Sequence, residues 1–279
     1  MSLHRGYMRI CVIVVALCFV HGAVAEHQIA FLSAETGRAQ MGPHEQGAWE
    51  TAKKLRCATL LFVNGEGGFV DASGGARTLD TFDVVWYHQG DAIARNALYG
   101  GAYLSAIRRF AEDGGGVLFS GGALAMVDHL GLEPIIRAQR HDLENYRDPA
   151  ALVPAETAHP AFDGLRVADG LVWLSNGGCR AVADFYWGGP AEGMLLGNTP
   201  DGVRRPLVEY ELGAGRLIVF GGRWPDYADF ENPHRDNLLR LTANLLDYLA
   251  DARQWRPVTV RTKFPALAYP EEPGIAPSR

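Results

Sequence analysis

Short apolar runs alternate with amphipathic segments through the first half of the chain, and this alternation limits the fold more than any other feature. The runs have the length and composition of buried strands. The predicted strands are 29–33, 58–63, 82–87 and 117–120. The predicted helices among them are 45–55, 102–113 and the shorter 122–130. Strands that are apolar throughout and separated by helices predict an α/β protein with a parallel sheet covered on both faces.

The second half of the chain is less regular. Between 134 and 190 the pattern predicts excursions and one strand near 171–174. The runs 206–212 and 216–220 flank Gly213-Ala214-Gly215, which is typical of a hairpin connection. A final helix is predicted over 234–250 from the leucine stripe at 238, 241, 245 and 249. No Ser/Gly linker divides 26–253, so we predict a single domain, followed by a Pro-rich, loosely held tail over 254–279.

The N-terminal residues have the three-part pattern of a secretory signal peptide. Arg5 and Arg9 precede the apolar run ICVIVVALCFV, which ends at a small-x-small site, Ala23-Val24-Ala25. The alternative is a membrane anchor, but the run is shorter than the roughly 20 residues that span a bilayer. We therefore predict cleavage after Ala25, a secreted or periplasmic product, and no membrane attachment after cleavage.

The charge balance bears on possible partners. Loss of Arg5 and Arg9 with the signal peptide would change the net charge from −6 to −8. An acidic chain of this kind argues against nucleic acid and anionic membrane as partners. The first predicted strand is followed by SAETG rather than a G-x-G-x-x-G fingerprint, and no residues have metal-ligand spacing. The sequence therefore predicts neither a nucleotide cofactor nor a metal.

Two cysteines remain once the signal peptide is removed. Cys57 and Cys179 would pair as a disulfide in an oxidising compartment if their backbones approach closely enough. The alternative is a pair of buried free thiols, and the spacing does not decide between them.

Polar residues follow the predicted strands at the points where these strands end. In open parallel sheets, ligands bind beyond the carboxyl ends of the strands, so these residues form the predicted site. The candidates are Glu35, His88, Asp91, Ser120, Gly121, Arg223, Trp224 and Asp226. Each has a structural alternative: Ser120 in a tight turn, His88 as a loop histidine, Asp91 as a cap for a following turn, Arg223 and Asp226 as a surface pair, and Trp224 as a lid on the core.

Four stretches of the chain resemble the class I glutamine amidotransferase-like superfamily. More closely they resemble its ThuA-like branch and related domains of unknown function found with secreted carbohydrate-active proteins. The stretches are FDVVWYHQGD (82–91), FAEDGGGVLFSGGALAMVDHLGLEP (110–134), HPAFDGL (159–165) and GAGRLIVFGGRWPDY (213–227). The resemblance implies a flavodoxin-like three-layer sandwich with a mostly parallel central sheet.

The chain departs from that superfamily at the catalytic positions. Amidotransferases of this kind carry a cysteine at the nucleophile elbow, the turn between strand and helix, where Gly121, Gly122 and Ala123 stand here. Trp224 stands near the expected histidine. Without thiolate and base the acyl-enzyme chemistry cannot run, so we predict no glutaminase activity.

Three functions remain open from the sequence. The first is a carbohydrate-associated binding or accessory protein, suggested by the export signal, by the resemblance, and by aromatic and acidic residues at the predicted site. The second is a hydrolase or isomerase that acts on a sugar through rim carboxylates, or through a carboxylate with His88. The third is a structural or protein-interaction module with an inert cleft.

Overall fold

The computed structural model describes residues 27–90, 93–133, 138–142, 150–175, 181–185, 190–202, 204–221 and 226–251. The predicted signal peptide and the predicted C-terminal tail lie outside these ranges. Among the described residues, no helix combines the length and the apolar character that crossing a membrane would need.

The described residues form one large mixed sheet and a separate two-stranded ribbon. In chain order the strands are β1 (Gln28–Ser33), β2 (Cys57–Val63), β3 (Phe69–Asp71), β4 (Ala76–Arg77), β5 (Val84–Gln89), β6 (Gly116–Gly121), β7 (Ala138–Asp142), β8 (Ala151–Pro154), β9 (Val172–Trp173), β10 (Ala181–Phe185), β11 (Met194–Asn198), β12 (Leu207–Leu212) and β13 (Gly215–Phe220). The large sheet has the order β4-β3-β2-β1-β5-β6-β13-β12-β11-β8-β9, and β7 pairs with β10 in the ribbon.

The centre of the large sheet is parallel, as predicted, but its two flanks are not. Strands β2, β1, β5, β6 and β13 pair in parallel. On both sides of this core the strands pair antiparallel, several of them through hairpins. The clearest case is the predicted hairpin between β12 and β13, where the turn at Gly213 and Ala214 is too short for a parallel crossover. The expectation of a mostly parallel sheet therefore holds for the core alone.

Helices pack on both faces of the parallel core. They are α1 (Pro43–Leu55), α2 (Gly101–Glu112), α3 (Met126–His129) and α4 (Arg235–Ala250), and they confirm the predicted helices. Helices α1 and α4 cover one face, where Trp49 and Leu245 pack against strand residues such as Phe31 and Trp86. Helix α2 covers the other face, where Ile107 and Phe110 pack against Val85 and neighbouring side chains.

The third strand lies two residues later than predicted, and the shift changes the site. Phe82 and Asp83 belong to the preceding connection, where the Asp83 carboxylate accepts a hydrogen bond from the Gln28 amide at 2.8 Å. Strand β5 therefore continues through His88 and Gln89. His88, predicted to lie in a loop, is instead a buried strand residue that is 1% exposed.

An ionic network is buried on the α4 face. The Glu209 carboxylate on β12 accepts hydrogen bonds from the Tyr248 hydroxyl (2.8 Å) and the Arg216 guanidinium, and lies 3.4 Å from His159 Nε2. The Ala161 amide donates to His159 Nδ1, so the neutral imidazole carries its proton on Nε2, facing Glu209. Burial alone would raise the pKa of Glu209, but these partners outweigh it and hold the pKa below its ordinary value of 4.5.

Candidate functional site

A row of polar side chains crosses the ends of three central strands on the face that α1 covers. Ser33, His88 and Ser120 lie in line with the apolar residues of that face, because side chains two positions apart on a strand share a face. Leu32 is in register with Tyr87, which sets Ser33 beside His88, and His88 is directly in register with Ser120. We call Ser33, His88 and Ser120 the polar row.

The β6 side of the polar row is tightly hydrogen-bonded. The Trp86 indole N–H donates to Ser120 Oγ at 2.8 Å, and His88 Nδ1 lies 2.9 Å from the same oxygen. The Tyr227 ring packs edge-on against both His88 and Trp86. The pKa of His88 is lowered to about 3, mainly by burial and also by the nearby His44, while Asp226 acts in the opposite direction. His88 is therefore a neutral imidazole at ordinary pH.

The second ring nitrogen of His88 has no hydrogen-bond partner among the described residues. Nε2 is fully buried, and leaving a buried polar atom unsatisfied costs about 1–3 kcal/mol. Nδ1 is turned toward Ser120 on β6, and Cε1 faces Gly121. The charged groups that act on this ring are His44 and Asp226.

The turn after β6 has the geometry of a nucleophile elbow with a glycine at its apex. Gly121 has φ 62° and ψ −136°, a conformation that side chains disfavour. A Cβ at this position would overlap the carbonyl oxygens of Gln89 and Gly90 and would lie 3.1 Å from His88 Cε1. The Gly122 amide already donates to the Gly90 carbonyl at 3.1 Å. The chain's own backbone therefore fills this part of the elbow.

Two carboxylates stand on the β1 side of the polar row. Helix α1 begins after Gly42 with Pro43, and its third residue is Glu45. The Glu45 carboxylate accepts hydrogen bonds from the Ser33 hydroxyl and from the Gly42 amide, the reach-back of a capping box. Burial raises the pKa of Glu45 to about 7; the hydrogen bond from Ser33 opposes the rise, and the negative charge of Glu35 adds to it.

A histidine–carboxylate pair lies over the β5 end of the site. His44 Nδ1 is 3.2 Å from Asp226 Oδ1, and the His44 side chain packs beside Gly90. This hydrogen bond is the main cause that lowers the pKa of Asp226. The pair joins the start of α1 to the residues after β13, so the described partner of Asp226 is His44.

The structure brings five of the eight predicted site residues to one end of the sheet. They are Glu35, His88, Ser120, Gly121 and Asp226. Asp91, Arg223 and Trp224 lie outside the described residues, so the exposed Trp224 face and the Arg223–Asp226 pair stay predictions. Cys57 begins β2 as an exposed free cysteine, not the buried thiol that was one alternative. Its partner in the other alternative, Cys179, also lies outside the described residues.

His44 and Glu45 were not predicted as site residues, because the start of α1 was assigned a structural role alone. The signal was present: both residues occupy the first turn of the helix that follows β1, and the first turn of such a helix lies above the carboxyl end of its strand. A separate groove of about 440 Å³ lies between the end of α1 and α4. It contains the ion pairs Arg56–Asp247 and Arg166–Asp236 and none of the predicted site residues.

Comparison with known proteins gives a fold and no family. No protein-family model and no curated protein sequence matches the chain. A chain of PurLQS from Thermotoga maritima matches with a TM-score of 0.54 and 8% identity, over 80% of this chain and 99% of that chain. A ThuA-like protein from Bacteroides uniformis has a TM-score of 0.49 at 12% identity, over 80% of this chain and 91% of that chain. A beta-galactosidase from Bacillus circulans has a TM-score of 0.49 at 11% identity, over 79% of this chain and 30% of that chain.

The likeness to the PurLQS chain extends to the fold alone, because the identity is only 8%. It supports the glutamine amidotransferase-like architecture expected from the sequence. The protein therefore has an α/β fold similar to that of the PurLQS chain, with polar residues at the carboxyl ends of its parallel strands.

Proposed function

We propose that the protein is exported and binds a small, hydroxyl-rich ligand such as a saccharide at the polar row, in a carbohydrate-associated binding or accessory role. We include in this proposal a flavodoxin-like three-layer core and a secreted or periplasmic location after cleavage at Ala25. The observation that carries the binding site is the convergence of Glu35, Glu45 and the His44–Asp226 pair on the polar row.

The order of the parallel strands supports this position for the ligand. In chain order the five parallel strands are β1, β2, β5, β6 and β13, the first to the fifth. Across the sheet they lie in the order second, first, third, fourth, fifth, or 2-1-3-4-5. In sheets of this order, ligands bind at the switch point between the first and third strands, where successive connections leave in opposite directions. That point lies between Ser33 on β1 and His88 on β5. Carboxylate and imidazole groups here would accept hydrogen bonds from the hydroxyls of a sugar.

We also propose that the elbow has lost amidotransferase chemistry. Gly121 supplies no nucleophile, and neighbouring carbonyls fill the space that a side chain would enter. The residue after a nucleophile normally lends its amide to the oxyanion hole, and here the Gly122 amide is committed to Gly90. We expect no ammonia release from glutamine above the rate without protein. Release that Ser120→Ala abolishes would contradict this proposal.

A second candidate, a sugar-acting hydrolase or isomerase, is favoured by the state of Glu45. A carboxyl group whose pKa is about 7, beside a second carboxylate, suits general acid–base catalysis near neutral pH. Turnover of a sugar that Glu45→Gln abolishes, with binding retained, would favour this candidate over the accessory role.

The proposed function is tested with the chain from Glu26 onward in a thermal-shift screen against plant and microbial glycans. A bound glycan at 100 times its Kd would stabilise the protein by about 2.7 kcal/mol and raise the melting temperature. Glu45→Gln should reduce the response, whereas Glu50→Gln, on the exposed side of the same helix and paired with Lys53, should not. No response to any glycan would favour the third alternative, a structural or protein-interaction module.

Export is tested separately by N-terminal sequencing of the product. We expect the product to begin at Glu26. A membrane-bound product that keeps Met1 would contradict cleavage.

A further inference from the structure

A chain of hydrogen bonds runs from the backbone of α4 toward His88. The Thr242 hydroxyl donates to the Leu238 carbonyl at 2.8 Å, so its single proton is already used. The Tyr227 hydroxyl lies 2.9 Å from Thr242 Oγ1 and is therefore the donor in that contact. Because each hydroxyl carries one proton, the direction of every later bond in the chain follows from the first.

Ser120 is the next member of this chain. Its hydrogen bond to Tyr227 acts to lower the pKa of that phenol, as a bond donated to the phenol oxygen does, although burial is larger and raises the pKa overall. Since the Tyr227 proton is directed at Thr242, the proton in this bond comes from Ser120. Ser120 Oγ then accepts from the Trp86 indole N–H at 2.8 Å and from His88 Nδ1 at 2.9 Å. Nδ1 of His88 therefore carries a proton.

This chain leaves a bare, accepting nitrogen at the other end of the His88 ring. His88 is buried and neutral, so a proton on Nδ1 leaves Nε2 with a lone pair and no hydrogen. Nε2 is itself fully buried and has no hydrogen-bond partner among the described residues. A buried acceptor without a donor is costly, and this one cannot become a donor unless the whole chain reverses.

The surroundings of the ring indicate which donor would satisfy Nε2. The adjoining Cε1 lies 3.1 Å from the Cβ position of Gly121, whose nearest other neighbours are the carbonyl oxygens of Gln89 and Gly90. The His44 ring packs beside Gly90, and its Nδ1 lies 3.2 Å from Asp226 Oδ1. A charged donor enclosed here would need a counter-charge, and the nearby carboxylate of Asp226 is already bonded to His44. A neutral O–H group fits these surroundings.

We propose that His88 determines ligand specificity, because its Nε2 accepts a hydrogen bond from a hydroxyl group of the ligand. Ser120, Tyr227 and Thr242 are then positioning residues that hold the ring in the accepting tautomer. This inference rests on the proposed function, since it names the atom by which the same site would select a hydroxyl-rich ligand. A ligand with an ether or a deoxy position at this point would leave Nε2 unsatisfied, and sites built to bond a hydroxyl reject such analogues.

The tautomer is tested by NMR of the histidine ring nitrogens in the chain from Glu26 onward, because protonated and bare ring nitrogens resonate apart. Wild type should show His88 protonated on Nδ1 alone. Thr242→Val should reverse the tautomer. The Tyr227 proton, which loses its acceptor, would turn to Ser120, and the Ser120 proton would then turn to His88 Nδ1.

Two further variants control this measurement. Thr51→Val is matched to Thr242→Val, because Thr51 is also a buried helical threonine that donates to the carbonyl four residues earlier, that of Gly47. It should leave the tautomer of His88 unchanged. Tyr227→Phe removes the oxygen that accepts the Ser120 proton, so it should reverse the tautomer as Thr242→Val does.

The ligand side of the inference is tested with glycerol and its trimethyl ether, which keeps the carbon chain and the oxygens but has no O–H. Glycerol should move the Nε2 resonance of His88 in wild type, and the ether should bind about fivefold more weakly or worse. In Thr242→Val the proton would lie on Nε2, so this preference should be lost or reversed. Thr51→Val should keep it.

The outcomes distinguish this inference from the proposed function. Wild-type His88 protonated on Nε2, a tautomer that neither Thr242→Val nor Tyr227→Phe changes, or equal binding of glycerol and its ether would overturn the inference. Saccharide binding in the thermal-shift screen that leaves the Nε2 resonance in place would keep the proposed function and overturn the role of His88. Glycerol bonded to Nε2 without any glycan response would keep the role of His88 and overturn the carbohydrate role.

Discussion

Two glutamates on the same face of the sheet have pKa values that are shifted in opposite directions. Glu209 is buried, yet its pKa lies below the ordinary value because Arg216, Tyr248 and His159 surround it. Glu45 is less buried, yet its pKa rises to about 7 because Ser33 and the Gly42 amide do not outweigh desolvation and the charge of Glu35. Burial acts on both in the same direction, so the difference comes from the partners that the fold supplies.

The comparison separates a carboxylate that the fold compensates from one that the described residues leave uncompensated. The network around Glu209 ties β12 and β13 to α4 and to the turn at Pro160–Phe162, and its hydrogen bonds stay within the protein. Glu45 and Glu35 form a charged group that the described residues leave uncompensated. A buried charge that lacks a partner is expensive, and strongly perturbed carboxyl groups cluster at functional sites for that reason.

The largest expected effect is the loss of stability on substitution of Glu209. Glu209→Gln should lower the free energy of unfolding at pH 7 by about 3–5 kcal/mol, because it leaves the Arg216 charge without its buried partner. The lowered pKa of Glu209 means that its contribution is present above pH 4.5 and is lost as the pH falls through the folded-state pKa. Urea unfolding at pH 7 and at acid pH should therefore show the gap between wild type and variant narrowing at acid pH.

Glu112→Gln is the matched control for this measurement, because Glu112 is exposed and pairs with Arg108 one helical turn away. Its expected cost is at most about 0.5 kcal/mol. Equal losses in the two variants would remove the distinction between a compensated buried carboxylate and an ordinary surface one.

The next effect tests how rigidly the β6 side of the site is held. Gly121→Ala should destabilise the protein by about 3 kcal/mol, since it combines a left-handed φ with overlap against the Gln89 and Gly90 carbonyls. Gly131→Ala is the control: Gly131 has φ 66° but open space around its Cβ position, so only the conformational cost of roughly 1–2 kcal/mol remains. Similar losses in both variants would show that the Gly90 segment moves aside, and the elbow would then be open.

A smaller change, a gain in stability rather than a loss, is expected on substitution of Glu45. Its raised pKa means that the folded state holds the proton more tightly, so stability falls as the pH rises from about 4.5 to about 7. Glu45→Gln removes that loss and should stabilise the unliganded protein by about 1 kcal/mol at pH 8, after allowance for solvent screening, with no gain at pH 4. Thermal unfolding at the two pH values measures this, with Glu50→Gln as the control. A loss of stability at pH 8 would mean that Glu45 is compensated in the same way as Glu209.

The smallest effect isolates the like-charge contribution. Glu35→Gln should lower the pKa of Glu45 but leave it above 4.5, because burial is the larger cause of the rise. Titration of the Glu45 side-chain carbon by NMR would measure the change. An unchanged pKa would show that the charge of Glu35 does not act on Glu45.

Much of the central fold was predictable from local pattern. The strands β1, β2 and β6, the helices α1, α2 and α4, and the β12–β13 hairpin lie where apolar periodicity and glycine turns predict them. The short flanking strands β3 and β4 were not predicted, because two or three residues carry no usable period and are held by pairing with a neighbour. The strands β7 and β10 were not predicted either, because they pair with each other across a long stretch of sequence.

Some features of the site were likewise predictable from the sequence, and others depended on the tertiary structure. The sequence alone determined that polar residues end the central strands and that no cysteine stands at the elbow, because both follow from residue type and order along the chain. Only the tertiary structure decided that His88 is buried and neutral, that Asp226 pairs with His44, and that Glu45 stands beside Glu35. A pKa depends on desolvation and on charges brought close by folding, and neither quantity can be read from positions along a chain.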